Sequence, residues 1–415
     1  MKLSYRLIVL LMMILSYSAF CRNKLYSPNV KSLQTVVNQD WLSYPTVMRL
    51  NTDDVLNISF DELSHDYHRY IYHIEHCEAD WNNSEELFET EWLEGFNDNT
   101  IDDYSNSINT IIPYTHYWFQ IPNDKVRLKM SGNYRLYVID EDQDDNQPIL
   151  KVEFMVTEQS MNLSLSCTTN TDIDTNVSHQ QMSMSLGYGN HLVTNPEEQI
   201  RCIVMQNGRF DNCKDNPMPN FINANGLEWS HNRGLIFDAG NEYHKFEVLD
   251  VSHPTMGVEH IRWDGANYQV FPFISEYRNN YIYDEDANGA FYIRNSDNRE
   301  NDIFSEYVWV NYLLKSPKLS EGSPLIDGQW TTDENSYSYI MEYDEDAQVY
   351  HTKILQKQGY YSYQYLWMRE EGNIERLPSE GSFYQTENTY QAFIYYKGTG
   401  ERSWRLVAFR QLDFK

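Results

Sequence analysis

His65, His68, His73 and His76 form two H-x-x-H pairs followed directly by Cys77. Imidazole nitrogens and thiolates are the usual protein ligands of zinc, so the spacing raises a metal site. The element that must carry them argues otherwise. Tyr70 to Glu78 alternates apolar and polar in period two, which is a strand, and there His73 and Cys77 share one face while His76 points to the other. Only a subset can converge on one ion, and structural or exposed roles are expected instead.

Asp284-Glu-Asp-Ala-Asn-Gly289 places oxygen ligands at alternate positions and a Gly sixth, as calcium loops begin. The twelfth position is Asn295, which lacks the bidentate carboxylate that closes such loops. Asn288-Gly289 between two aromatic runs is also a strong hairpin-turn signal, so a turn is the simpler reading. The acidic runs Asp140 to Asp145 and Asp344 to Asp346 read as solvated hairpin tips. For catalysis there is no G-x-S-x-G elbow, phosphate-cradling Gly-rich loop, H-E-x-x-H or nucleophilic Cys motif. Carboxylates are so abundant that their presence singles out no glycosidase pair. The expectation is no enzyme and no cofactor.

The C-terminal part carries Leu325-Ile-Asp-Gly-Gln-Trp330 and, later, Gly359-Tyr-Tyr-Ser-Tyr-Gln-Tyr365. This resembles small starch- or glycogen-binding sandwich domains, in which a strand ends in Gly-x-Trp and a Gly-Tyr-Tyr-x-Tyr strand packs nearby. Exposed rings would stack on sugars; the alternative is that they pack a core.

The elements behind these motifs are strands throughout. Leu56 to Phe60, Tyr70 to Ile74, Tyr134 to Ile139, Phe291 to Arg294 and Tyr360 to Trp367 alternate in period two, with Asn, Asp and Gly between them. Short strands at such spacing predict an all-β chain of tandem immunoglobulin-like β-sandwich domains. The N-terminus has a basic start at Lys2 and Arg6, an apolar run from Leu7 to Leu15 and then small residues, which is a secretory leader spanning 1–21. Cys21 raises lipidation as an alternative, against which bulky Phe20 stands where a small residue is usual. The formal net charge of −29 repels phosphate backbones and anionic headgroups, which makes nucleic acid and membrane surfaces poor partners; the alternative is that the acidity serves solubility. With 41% hydrophobic and 15% aromatic residues the chain can bury real cores, so disorder does not fit.

The length exceeds one core and implies two or three domains. The expected blocks are 22–158, 159–314 and 325–415, with a Pro-, Gly- and Ser-containing linker at 315–324. Cys77, Cys167, Cys202 and Cys213 are too few for a disulfide framework, and Cys202 with Cys213 is the one pair suited to a bond. Otherwise these are buried thiols.

In the first block the order of motifs is similar to that of the type IX secretion plug protein family. They are Ile58 to Leu63 (with Phe60 and Asp61), Tyr70 to Trp81 (His76, Cys77, Trp81), Trp92 to Asn97 (Gly95, Phe96, Asn97), Asn109 to Tyr117 (Tyr114, Thr115, His116, Tyr117) and Ser131 to Tyr134 (Gly132, Asn133, Tyr134). Met205 to Asp211 (Asn207) and Ala239 to Phe246 (Asn241, Glu242) resemble its second block, and the C-terminal aromatic pattern its last. The resemblance implies a periplasmic β-rich protein, peripheral on the inner side of the outer membrane, that docks on a large outer-membrane translocon β-barrel and closes its pore. It brings no catalytic or ligand-binding set, so these residues are expected to be structural or interfacial. One departure stands out: Tyr243-His244 occupies the place where relatives often carry Phe-Arg. The alternative is an envelope carbohydrate-binding protein.

Overall fold

The computed structural model describes residues 23–142, 147–332 and 337–415. The expected leader and part of the acidic tip between Asp140 and Asp145 lie outside the described residues. Described secondary structure is almost entirely strand, the α-helices being single turns such as Glu89–Trp92. The chain is all-β, as expected, and its sheets pair into sandwiches.

In the first sandwich one sheet has the order Val30–Val37, Leu56–Glu62, Thr115–Ile121, Asp103–Asn106. The facing sheet runs Lys24–Leu25, Pro148–Thr157, Gly132–Asp140, Tyr70–Cys77, Asn99–Thr100, with Val47–Arg49 added in parallel. Alternation sets which side chains meet. Along Tyr70–Cys77, Tyr70, Tyr72 and Ile74 turn into the core and Ile71, His73 and Glu75 turn out. The core is closed by ring pairs, Phe60 stacking on Tyr117 at 5.3 Å and Tyr72 on Phe119 at 4.9 Å.

In the second sandwich, Asn162–Thr168, His179–Gly187, Gly226–Trp229 and Phe221–Asn223 face a sheet ordered Lys214–Asp215, Ile200–Gln206, Asn388–Tyr396, Arg405–Phe414. In the third, Gly359–Met368 pairs with His244–Val248, Phe291–Ile293, Ser323–Asp327 and Ile374–Arg376. Its partner sheet is Val258–Trp263, Tyr268–Pro272, Tyr307–Lys315, Val349–Lys357, Glu342–Asp344.

This pairing divides the chain differently from the blocks expected at 159–314 and 325–415. The stretch 315–324, read as a linker, is a loop within the third sandwich, because Tyr307–Lys315 before it pairs antiparallel with Val349–Lys357 after it. The last two strands do not belong with that sandwich. Asn388–Tyr396 pairs with Ile200–Gln206 in the register Ile200↔Tyr396 to Gln206↔Tyr390, and Arg405–Phe414 completes that sheet. The second sandwich is therefore split in sequence, with the third inserted into it. Pro, Gly and Ser mark a turn as readily as a domain joint, and local composition carries no record of pairing across nearly two hundred residues. Cys77, Cys167, Cys202 and Cys213 are free thiols, and the candidate Cys202–Cys213 bond is not formed.

Candidate functional site

Asp61 and Lys357 are charges removed from water, their side chains 0% and 1% exposed. The strand geometry explains how they meet. Alternation in Leu56–Glu62 sends Leu56, Ile58 and Phe60 into the first core, and Asp61 takes the outer face opposite His116 on Thr115–Ile121. In the third sandwich Tyr307 and Lys357 are register partners at the ends of their strands. One cross-strand pair thus sits on the other. Lys357 Nζ donates to Asp61 Oδ2 at 2.6 Å, the Tyr307 hydroxyl donates to the same oxygen at 2.7 Å, and His116 Nδ1 lies 2.6 Å from Oδ1. Lys357 also donates to the Asp302 carbonyl at 2.6 Å and lies 4.1 Å over the Tyr114 ring. Burial alone would raise the Asp61 carboxyl, but Lys357 and His116 outweigh it and hold it below the usual carboxylate range. Burial lowers the Lys357 ammonium, an effect Asp61 only partly offsets. An acid, a base and a phenol in contact are catalytic types, yet here they pair with one another between two sandwiches. The arrangement clamps.

Other residues of the Asn109 to Tyr117 motif dock on the same neighbour or brace their own sandwich. Glu306 accepts from the Ile111 and Ile112 amides at 2.6 and 3.2 Å, and the Tyr114 hydroxyl donates to the Ser305 carbonyl at 2.8 Å. Thr115 donates to the Asp66 carbonyl, and the Tyr117 hydroxyl accepts from the His68 amide. Phe60 lies in the first core.

A second group of motif residues joins the first sandwich to the second. Cys77 and Trp81 pack in one buried cluster with Met205, Phe393, Tyr395 and Leu406. Asn133 accepts from the Tyr395 hydroxyl at 2.8 Å and donates to the Glu78 carbonyl, while Glu78 accepts from the Trp404 amide at 3.0 Å. Gly132 adopts φ +147°, and a Cβ there would lie 2.6 Å from His76 Nε2. His76 is buried between Ser84 and the Ser131 carbonyl, Tyr134 donates to the Met130 carbonyl, and burial pushes the Cys77 thiol up to about 12.

The second and third sandwiches meet through Asn241, which donates to the Glu380 carbonyl, and Glu242, which accepts from the Tyr281 hydroxyl and the Glu387 amide. Asn207 pairs with Asn388 and accepts from the Thr389 amide. The Tyr243-His244 departure turns inward: Tyr243 is buried, and His244 shares the Glu380 carboxylate with Arg278. Burial would raise Glu380, but His244 and Arg278 hold it below the usual range. A cavity of about 490 Å³ lies beside this junction. Its guanidiniums are already engaged, Arg209 by Asp211, Arg278 by Glu380, Arg369 by Glu375 and Arg376 by Asp238.

Three motif residues remain on the surface of the first sandwich. Asn97 exchanges hydrogen bonds with the Ile74 backbone and reaches Glu89, and Gly95 at φ +104° leaves no room for a Cβ against the Lys125 carbonyl. Phe96 between them is 81% exposed, and Phe88, next to Glu89, is 74% exposed.

The histidines read as a candidate zinc set are dispersed: His65 meets the Ser107 carbonyl, His68 meets Asp140, His73 meets Asp98, and His76 is enclosed. In the candidate calcium loop Asp284 is paired with Lys245, and Asp286 accepts from the Tyr243 and Asn288 amides. The rings read as sugar-stacking are core: Trp330 donates to the Ser362 carbonyl, and Tyr361, Tyr363 and Tyr365 are buried. Sequence reasoning missed Lys357, Tyr307, Glu306 and Glu380. Lys357 ends an alternating strand next to Gln358-Gly359 and looks like a solvated strand end; nothing local marks it as buried.

Residues 30–158 are similar to a family described as the type 9 secretion system plug protein 1st domain. A crystal structure of a hypothetical protein from Parabacteroides merdae ATCC 43184 is 36% identical to the chain, with a TM-score of 0.90, covering 95% of this chain and 100% of that one. No curated protein matches the chain.

Proposed function

Because residues 30–158 belong to the type 9 secretion system plug protein first-domain family, we propose that the chain is the periplasmic plug subunit of the translocon, docking on a large outer-membrane β-barrel and closing its pore. The observation that carries this reading is the clamping of the sandwiches to one another. Buried pairs join the first to the third through Asp61 and Lys357 and the first to the second through Asn133 and Tyr395, and the half-buried Asn241 joins the second to the third. A body that seals a wide opening must resist deformation, and sandwiches joined by buried polar contacts meet that demand. The plug acts by occupying space and binding rather than by catalysis.

No described helix is long and apolar enough to cross a membrane, so in this reading the barrel supplies the membrane attachment. Exposed aromatics are the usual anchors of specific interfaces, and Phe96 stands out among the family residues named above as an aromatic turned to solvent. Deleting the gene should leave the pore open, so that large hydrophilic antibiotics enter whenever no other subunit fills it. Unchanged permeability of the deletion strain under those conditions would refute the closure role.

A further inference from the structure

The outer face of the sheet formed by Val30–Val37, Leu56–Glu62, Thr115–Ile121 and Asp103–Asn106 lines a groove of about 960 Å³, walled opposite by the Asn301–Phe304 turn of the third sandwich. Strand register sets its floor. Gln34 lies opposite Ser59, Ser59 opposite Trp118, and Trp118 opposite Asp103, forming one row across all the strands of the sheet. At a strand spacing of about 4.8 Å this row spans roughly 14 Å. A parallel row places Asn57 opposite Gln120.

Beside the Asp61–His116 pair, this face keeps an open row. Trp118 is 40% exposed, its ring backed by His116 stacked at 5.6 Å. The side chains of Gln34, Ser59 and Gln120 and the Trp118 indole N–H have no hydrogen-bond partner among the described residues, although Gln34 and Ser59 are only partly exposed. A flat aromatic ring flanked by free carboxamides and a hydroxyl offers one apolar platform and several neutral donors and acceptors in a line.

We propose that this groove binds a neutral oligosaccharide, with Trp118 stacking on one sugar ring and Gln34, Ser59 and Gln120 hydrogen-bonding hydroxyls along the row. The chemistry selects that class. Asp102, Asp103, Asp124 and Asp302 line the groove against a single Lys125, itself paired with Asp102, so anionic ligands are repelled. The backbone of the two central strands is paired on both sides, so a peptide cannot add main-chain hydrogen bonds at the floor as it would at a sheet edge. Sugar hydroxyls need only side chains. The site is separate from the buried rings of Tyr361, Tyr363 and Tyr365 and from the exposed Phe96, so the inference stands independently of docking on a barrel.

The test titrates the folded protein with chitohexaose, cellohexaose and maltohexaose, reading tryptophan fluorescence and calorimetric heat, in the native chain, Trp118→Ala and Gln34→Ala. At least one hexasaccharide should bind at submillimolar concentration. Trp118→Ala should weaken that binding tenfold or more and Gln34→Ala severalfold, both variants keeping the native melting temperature. Phe96→Ser should leave the binding unchanged. Absence of binding to all of these at 10 mM would overturn the proposal. So would binding that survives Trp118→Ala, or a groove that takes up a Lys-rich peptide and no sugar.

Discussion

Replacing Lys357 by Met keeps the length and apolar stem of the side chain but strips the ammonium from Asp61. The carboxylate is then left fully buried, with Tyr307 and His116 as its remaining side-chain partners. Removing one member of a buried ion pair costs about 3–5 kcal/mol, most of it the penalty of the charge left behind. The cation–π contact with Tyr114 and the bond to the Asp302 carbonyl go as well, so the upper part of that range is expected. Asp61→Asn should be costly alone, leaving Lys357 buried without a counter-charge. The double variant Asp61→Asn with Lys357→Met carries no buried charge and should recover most of the loss. Urea unfolding followed by tryptophan fluorescence and calorimetry gives the three differences and their coupling. Because the pair joins the first sandwich to the third, Lys357→Met should also speed limited proteolysis around 299–306. Asp61 and Lys357 form no clamp if Lys357→Met stays within about 1 kcal/mol of the native chain, or if the two single losses simply add.

Trp81, buried at the junction with the second sandwich at φ +66°, should lose about 3–5 kcal/mol on Trp81→Ala; an unchanged melting curve would place it outside the junction core. Gly132→Ala forces a Cβ against buried His76 and should lower the melting temperature, while Gly240→Ala, with nothing nearby to strike, should lower it less; equal losses would assign the effect to backbone conformation alone. Burial pushes the Asp286 carboxyl up to about 7, above its unfolded value, so the fold holds a proton there that the unfolded chain releases. The stabilisation from this group is full below about pH 4 and is lost as pH rises towards 7, and Asp286→Asn should remove that fall between pH 4.5 and 7.5; an identical pH profile of urea midpoints would contradict it. Millimolar calcium should leave the native melting curve in place because Asp284 is engaged by Lys245, and an upward shift abolished by Asp284→Ala would show a site there.

The fold class was legible because period-two alternation is local: each strand around Tyr70, Tyr134 and Tyr360 announces itself. The chain's division into sandwiches was not. Asn388–Tyr396 reads like any other strand, and only its pairing with Ile200–Gln206 reveals that the second sandwich resumes after the third. Motif residues were locatable but their roles were hidden for the same reason. Asp61 and His116 look like outward polar positions of a solvated sheet, and they become a buried clamp only when Tyr307 and Lys357, some two hundred residues away or more, close over them. The Gly359 to Tyr365 rings suggested stacking platforms because a half-buried and a fully buried strand share one alternation, and covering strands are invisible in the segment itself. Trp118 was passed over for the converse reason, since nothing near it shows that its face stays open.

The central claim is membrane attachment through a barrel, and affinity capture from detergent-solubilised envelopes of the host tests it most directly. A specific interface should bury more than about 1,000 Å², enough to survive washing. The tagged native chain should retain a very large outer-membrane β-barrel at low salt. Phe96→Ser should retain less while melting at the native temperature. Capture of no such barrel by a folded native chain at low salt would contradict the account.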